Sequence, residues 1–471
     1  MNKRFGLLSL VLVLAACSNT TNPSPSTALP EAHQATPNQW RQLPLMKQSA
    51  AQQLLVLPQE LSRTIEQELS NSPDLEADLA RFAIAQANYE TAQAQRWPEL
   101  DFKMDGGENQ FLDEGNKKSR HSYSAQFRVS WEADVWGKLS DLEKASEADM
   151  DAVLMDYQSA QQVAVSQLLL SYFDMSQANR LIELTLHNQR SQQRRVAMTE
   201  SRLDAGLLSS HDLRLAKNSL YTIEATLVQH RLNFHRAKQR FNVLLGRHSE
   251  ADLNLALEAF ELPPLELTIS PSTVLQQRPD LVASESRVMS AFYRKSNADK
   301  GNLPDITVNA GLRATSQNFS DLFDWQYWLG SVTAGLVQPI LDGGAIKANK
   351  SLNTARQSLA LAQYKMALLN SWQEIERGIY SEAELRSKHQ ALEQAYQQIF
   401  AAEQRLSRQY EAGLANSFEL LTLQVRRINT ETELTRAYYE ILANRTLLVL
   451  ALGERFPVQL NAPWEKKVNA S

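Results

Sequence analysis

The strongest constraint on this chain is the absence of helix breakers over two very long stretches. From Lys138 to Ala205 there is neither glycine nor proline, and from Ala345 to Ala412 the sole breaker is Gly378. At ~1.5 Å per residue, a run of about 67 residues makes a helix on the order of 100 Å long. The stretches that follow, 208–245 and 415–452, are also free of both residues. Their apolar positions recur every seven residues: Leu213, Leu220, Leu227, Phe234, Phe241, with a companion series Ala216, Ile223, His230, Ala237, Leu244. Leu385, Leu392, Ile399 and Leu406 keep the same interval. A sustained seven-residue period signals coiled-coil packing rather than a globular core.

Between the long runs stand Gly206 and Gly413. Each is placed to give its outgoing helix a left-handed cap. Ser210 and Asp212, or Ser417 and Glu419, follow at the start of the return helix, where their acceptors suit its free N–H groups. Each pair of runs therefore reads as a helical hairpin with a short tip.

The two tips belong to a tandem repeat. Ala205-Gly206-Leu207 maps onto Ala412-Gly413-Leu414, "SPDLEADLARF" (72–82) onto "RPDLVASESRV" (278–288), and "WPELDF" (97–102) onto "LPDITV" (303–308). Gly137 pairs with Gly344, and Leu245-Gly246 with Leu452-Gly453, at an offset of 206 or 207 throughout. So long a period implies two copies of one unit rather than a short-period solenoid. The division expected is a first repeat over 45–246, a linker over 247–277 marked by Pro263-Pro264 and Pro271, a second repeat over 278–453 and a tail over 454–471. Each repeat starts with a helix, about 73–96 or 279–300, followed by two strand-like runs and the helix pair.

The strands are few and distinctive. In "YSAQFRVSW" (123–131), Tyr123, Ala125, Phe127, Val129 and Trp131 face one side, while Ser124, Gln126, Arg128 and Ser130 face the other. "DITVNAGLRA" (305–314) alternates likewise. "LDFKMDG" and "YWLGSVTAGLV" read as their partners, joined through the polar stretches "GENQFLDEGNKKS" and "TSQNFSDLFD" into hairpins at about 99–133 and 304–340. Runs of about ten residues with one apolar face and aromatic ends match membrane-barrel strands. Four strands cannot close a barrel, and an open edge in lipid strands backbone groups at several kcal/mol each. Separate copies must pool their strands; two would fill the barrel with side chains, and three or more would leave a pore. The sequence does not choose between three and four.

At the N-terminus, Lys3 and Arg4 precede an apolar stretch from Phe5 to Leu14 and the sequence Leu14-Ala15-Ala16-Cys17, which contains the single cysteine. The apolar stretch is too short to span a bilayer and has the form of an export signal over 1–16. The segment is similar to a bacterial lipobox, which implies a lipid on Cys17, and Ser18 in place of aspartate implies sorting to the outer membrane. Residues 17–44, with five prolines among Ser, Thr and Asn, read as an extended tether. No later apolar run reaches the length of a transmembrane helix. A net charge of −5 argues against a nucleic-acid binder.

Catalytic sets are not in evidence. The eight histidines are scattered, and His230 and His235 do not share a helix face. No phosphate-binding or dinucleotide glycine pattern occurs, Gly343-Gly344 reads as a tight strand-to-helix bend, and Glu374 and Glu376 lie on a long solvated helix. No enzyme, no metal site and no cofactor beyond the covalent lipid are expected.

Signal, lipobox, strand hairpins, paired long helices and tandem repeat together resemble the TolC/OprM family of outer-membrane efflux factors. "SWEADVWGKL" (130–139) and "VQPILDGGAIKA" (337–348) look like its two strand-to-helix junctions. "RLDAGLLSSHDL" is similar to its Arg-x-x-x-Gly-x-x-Ser-x-x-Asp tip, carried by Arg202, Gly206, Ser209 and Asp212. The resemblance covers about 40–455. It implies a mainly α fold with a small membrane β part: a homotrimer sharing a twelve-stranded barrel in the outer membrane and a helical tunnel in the periplasm. It also implies a periplasmic adaptor and an inner-membrane pump as partners; the lipobox favours a pump of the RND type and export of drugs, dyes and detergents. Adaptor contact is expected at Arg202, Gly206, Ser209, Asp212, Gly413 and Ser417. The second tip departs from the pattern, with Asn416 at the position of Ser209 and Gln409 at that of Arg202. Family gates carry acidic residues six and nine positions after the glycine; Glu419 matches the first and Thr422 departs at the second, so one acidic ring is expected. The readings left open are a type I protein-secretion duct and a non-channel periplasmic coiled-coil lipoprotein.

Overall fold

The computed structural model describes residues 54–113, 116–253, 255–257, 260, 263 and 270–459, and among these the side chains of all but 109–119 and Ser417. Cys17, the signal, the whole tether, residues 45–53 and the end of the tail lie outside the described residues.

In chain order the elements are α1 (Gln59–Glu68), a 3₁₀ turn (Leu69–Asn71), α2 (Pro73–Ala94), β1 (Glu99–Asp113), β2 (Asn116–Glu132), α3 (Lys138–Asp204) and α4 (Ser210–Leu244). Then come α5 (Pro271–Gln277), α6 (Pro279–Asp299), β3 (Asp305–Ser316), 3₁₀ turns at Phe319–Phe323 and Trp325–Tyr327, β4 (Trp328–Val337), α7 (Ala345–Glu411) and α8 (Ser417–Leu452). The tandem repeat is plain in this order: α3 and α7 each run 67 residues, and α4 and α8 run 35 and 36.

Two compact units divide the described residues, one formed by 81–154 and 283–366, the other by 54–80, 155–282 and 367–459. The first holds the sheet with the helix segments that enter and leave it. Its strand-to-helix junctions are pinned by charge: Lys300 Nζ meets Asp141 at 2.5 Å and the Gly137 carbonyl at 3.0 Å, and Lys138 Nζ meets Asp305 at 2.8 Å. Asp134 and Asp342 accept from the first free N–H groups of α3 and α7, at Leu139 and Ile346 among others. An acceptor at a helix start satisfies donors that have no intrahelical partner.

The second unit is held by coiled-coil seams and by a buried polar clasp between Arg445 and Glu382. The buried side chains of α4 include Ala216, Leu227, His230, Ala237 and Phe241, all members of the two seven-residue series. Tyr172, Phe173 and Phe260 pack edge to face, with ring centroids 4.9–6.4 Å apart. Gly378, the one glycine in α7, lets α8 come close: a β-carbon there would stand 3.0 Å from Leu448 Cδ1, and its carbonyl accepts from Asn444 at 3.0 Å.

Three local expectations need correction. The polar stretch at 107–119 is largely strand, since β1 runs to Asp113 and β2 starts at Asn116 in continuous antiparallel register. Ladder hydrogen bonds join backbone groups, so a polar ribbon persists without an apolar face. The linker expected over 247–277 contains α5, in which Ser270 caps by accepting from the Thr273 N–H and Pro271 occupies the first turn. Proline breaks a helix interior but suits its first position, as Pro73 and Pro279 also show. Finally, α1 precedes the first helix expected of the repeat.

Candidate functional site

The sheet is a two-faced stave. Its order is β1-β2-β3-β4, antiparallel throughout. Register aligns Met104, Ala125, Ala314 and Trp328 in one row, then Phe102, Phe127, Leu312 and Gly330, then Leu100, Val129, Ala310 and Val332, then Trp131, Val308 and Ala334. Successive strand residues alternate sides, so these rows share one apolar face. The opposite face carries Lys103, Gln126, Arg313 and Leu329 in one row, Asp101, Arg128, Gly311 and Ser331 in the next, then Glu99, Ser130, Asn309 and Thr333. Arg128 donates to Asp101 across the strands at 2.8 Å. From Ile306 to Ala314 the apolar face runs about 27 Å along the strand at ~3.4 Å per residue, the length of about nine residues that a tilted membrane-barrel strand uses. Many of its residues are exposed, including Leu100, Phe102, Val332 and Leu336. Among the described residues β1 and β4 each keep one edge without a strand partner.

The hairpin tips form the second cluster, within the other unit. Gly206 (φ +73°) and Gly413 (φ +74°) take the left-handed conformation that only glycine adopts without strain. The N–H of Leu207 donates to the Arg202 carbonyl at 2.8 Å, and that of Leu414 to the Gln409 carbonyl at 2.8 Å, so both helices end in the same wound-back motif. At the first return helix the cap is Ser209, not Ser210: Ser209 Oγ accepts from the Asp212 N–H, and the Asp212 carboxylate accepts from the Ser209 N–H at 3.1 Å, a closed capping box. At the second the cap is Asn416, one residue before Ser417; its Oδ1 accepts from the Phe418 N–H at 2.9 Å. Ser417 opens α8. Glu419 lies in the first turn and is exposed, as are Thr422 and Arg426 along the same helix.

Arg202 is not free for a partner. Its guanidinium donates to the carbonyls of Tyr410 and Glu411 at 3.4 Å and lies 4.8 Å from the centre of the Tyr410 ring. A cation on the last carbonyls of α7 satisfies acceptors left over by the helix and opposes its dipole. Sequence reasoning missed the rest of this network. Arg195 donates to Gln424, and Arg427 to Asn188 at 2.6 Å while pairing with Glu403 and Glu431. The one legible signal was Arg427 four residues before Glu431; the partners on α3 and α7 lie on other helices. Beside polar residues such as His211 and Glu419, the tips expose two large apolar side chains, Leu207 at 73% and Leu414 at 80% of full accessibility.

The comparisons with known proteins agree with this geometry. A sequence model of the outer membrane efflux protein family matches residues 64–247 and 270–454, one match per repeat. The pyoverdine export outer membrane protein OpmQ of Pseudomonas putida is 26% identical over 460 residues, covering 95% of this chain and 96% of its own. The cation efflux system protein CusC of Escherichia coli K12 is 22% identical over 407 residues, covering 86% and 89%. The crystal structure of the Campylobacter jejuni CmeC outer membrane channel superposes with a TM-score of 0.81 at 18% identity, covering 90% of this chain and 93% of that one.

Proposed function

Because the chain belongs to the outer membrane efflux protein family, we propose that it is the outer-membrane channel of a tripartite efflux pump, a passive gated duct for small toxic compounds. Three copies would each contribute four strands to one closed barrel, with the apolar rows toward lipid and the charged rows toward the lumen. The lipid on Cys17 would add a second attachment to the outer membrane. Energy would come from an inner-membrane pump of the RND type, reached through a periplasmic adaptor, and no chemistry is asked of this subunit.

The observation that carries the reading is the sheet: one face too charged for lipid, the other too apolar for water, and two open edges. An open edge in hydrocarbon costs several kcal/mol per unpaired group, so the edges must meet those of other copies. At the tips, Gly206, Ser209, Asp212, Gly413 and Ser417 shape the turns that would meet the adaptor. Leu207 and Leu414 supply the exposed contact, while Arg202 holds the two tips of one chain together. Glu419 would place one acidic ring at the entrance.

Two measurements test this. Detergent-purified protein should run as a heat-sensitive oligomer and conduct ions in planar bilayers; a single subunit that never conducts rejects the channel. Deletion of the gene should raise sensitivity to dyes, detergents and antibiotics. Unchanged sensitivity across a broad panel, with conductance intact, keeps the channel and moves the cargo toward a secreted protein or another substrate class.

A further inference from the structure

The connection between β3 and β4 does something its composition does not announce. It spans residues 317–327 at the end of the sheet away from all four helix junctions, so in the channel reading it lies at the extracellular rim. Instead of arching over the polar face, it folds back onto the apolar one. Leu322 is buried against Ala125 and Ala314, with Tyr123 and Trp328 packed beside it. Ala125, Ala314 and Trp328 belong to the apolar rows. The fold-back is fixed by polar contacts: Trp328 Nε1 donates to the Leu322 carbonyl at 3.1 Å, and Ser316 Oγ donates to the Asp321 carboxylate at 2.5 Å.

With Leu322 turned inward, the remaining large side chains of the connection point out. Phe323 and Trp325 are 76% and 72% exposed, and Phe319 and Tyr327 are also exposed. They are organised rather than scattered. Tyr123, Phe319 and Phe323 pack edge to face at 5.7 and 5.5 Å, and Trp325 stacks on Trp328 at 6.2 Å. Through Trp328 and its stack on Phe127 (5.9 Å) this aromatic group continues the apolar rows without a break. A ring cluster contiguous with a lipid-facing surface, at the end of the strands, and interleaved with Asp321 and Asp324, has the chemistry of a headgroup boundary. Tryptophan and tyrosine, here Trp325 and Tyr327, favour that zone because one end is apolar and the other can be wet.

We propose that residues 317–327 form an interfacial anchor that lies against the outer leaflet on the outside of the barrel, leaving the channel exit clear of this loop. The inference rests on the barrel reading above, because it needs the apolar face to look toward lipid. The partner is the lipid interface; water around a free loop and the channel lumen are the competing surroundings.

The test compares the full chain with its Trp325→Phe variant in bilayers. The fluorescence lost in the variant should be quenched by lipids brominated high on the acyl chain and shielded several-fold from aqueous iodide. Free access to iodide with no response to brominated lipid overturns the anchor. In a second variant, Phe319→Ser with Phe323→Ser and Trp325→Ser, single-channel conductance should match the parent, since the loop lies outside the lumen. A marked rise in conductance would place the loop in the exit and overturn the proposal. A parent that never conducts rejects the barrel itself, a separate failure that takes the anchor with it.

Discussion

Arg445 and Glu382 are the most demanding pair in the second unit, since both side chains are 0% exposed. Arg445 Nε donates to Glu382 Oε1 at 2.7 Å, Nη1 to the Leu54 carbonyl at 2.9 Å, and Nη2 to the Pro263 carbonyl at 3.1 Å. Burial pulls the guanidinium below its usual range, against the Glu382 carboxylate, which holds it up. Two charges out of water cost more than their mutual attraction returns unless their remaining hydrogen bonds are filled, and here they are filled. Removing one partner is therefore the severe perturbation. Glu382→Gln leaves a guanidinium that cannot deprotonate, and should cost ~3–5 kcal/mol. Arg445→Met should fall at the lower end of that range. Glu382 then keeps Arg386 at 2.9 Å and Asn444 at 3.0 Å, and Pro263 keeps Arg386 at 3.0 Å, so the Leu54 carbonyl is the one group stranded. At about 2 °C per kcal/mol for a cooperative unit of more than 200 residues, the melting midpoint should fall by about 6–10 °C. The double variant Glu382→Gln with Arg445→Met should be less destabilised than the two single variants summed, because no fully buried charge is left alone; Arg386, the remaining cation, is partly exposed. Helical circular dichroism against temperature, in one detergent and at one concentration, reads all three. A drop of less than about 1 kcal/mol for Glu382→Gln, or strict additivity in the double variant, would refute the reasoning.

On the sheet, Val129→Arg puts a charge at the middle of the apolar rows and should cost ~2–4 kcal/mol at mid-membrane depth; loss of bilayer insertion checks it, with Ser130→Arg on the polar face tolerated. Gly413→Ala forces a β-carbon into a left-handed turn and should cost about 1 kcal/mol, read as earlier proteolysis at the tip. His230 is buried, its Nδ1 has no partner among the described residues, and burial, helped by Arg436, holds its imidazole below the ordinary range. The unfolded chain then binds the extra proton, so stability is full above about pH 6.5 and falls as pH drops below it; His230→Asn should flatten that slope in midpoint-versus-pH curves. Asp212→Asn should weaken the first cap by ~1 kcal/mol and leave conductance alone, whereas Glu419→Gln should lower cation selectivity with little effect on melting. Equal behaviour of the last two would sink the distinction between them.

Period and punctuation carried much of the fold into view. The alternation from Tyr123 to Trp131 set the two faces of the sheet, the seven-residue series through Leu227, Ala237 and Phe241 set the seam, and Gly206 and Gly413 set the tips. These signals survive in one sequence because each depends on residues near one another along the chain. Partnership across elements does not. A seam pattern gives the phase of a helix and not the helix it meets, so Arg427 on Asn188 and Arg445 on Leu54 were beyond reach. Polarity misled at 107–119, because a ladder is blind to side chains. Serine misled at 417, because Asn416 and Ser417 both offer an acceptor and only backbone geometry, with Asn416 at ψ 142°, decides which one caps.

The two tips also show how one repeat can hold two roles. Asp212 and Glu419 are equivalent positions, 207 residues apart, each three residues into its return helix. In the first tip the carboxylate is consumed locally: it closes the box with Ser209, and its charge faces the helix N-terminus. In the second, Asn416 caps through its amide oxygen, so the helix start does not depend on the acid three residues on. Glutamate is also one methylene longer than aspartate and reaches outward more readily. With Asn416 as the cap, the equivalent carboxylate is not needed there and stands exposed on its helix, where the proposed acidic ring would need it. That exchange needs no change of backbone: Gly206 and Gly413 hold φ within a degree of each other, and Leu207 and Leu414 make the same 2.8 Å hydrogen bond. Divergence confined to side chains on an unchanged turn is what a duplicated unit needs if one tip is to keep a rigid shape while the other carries charge.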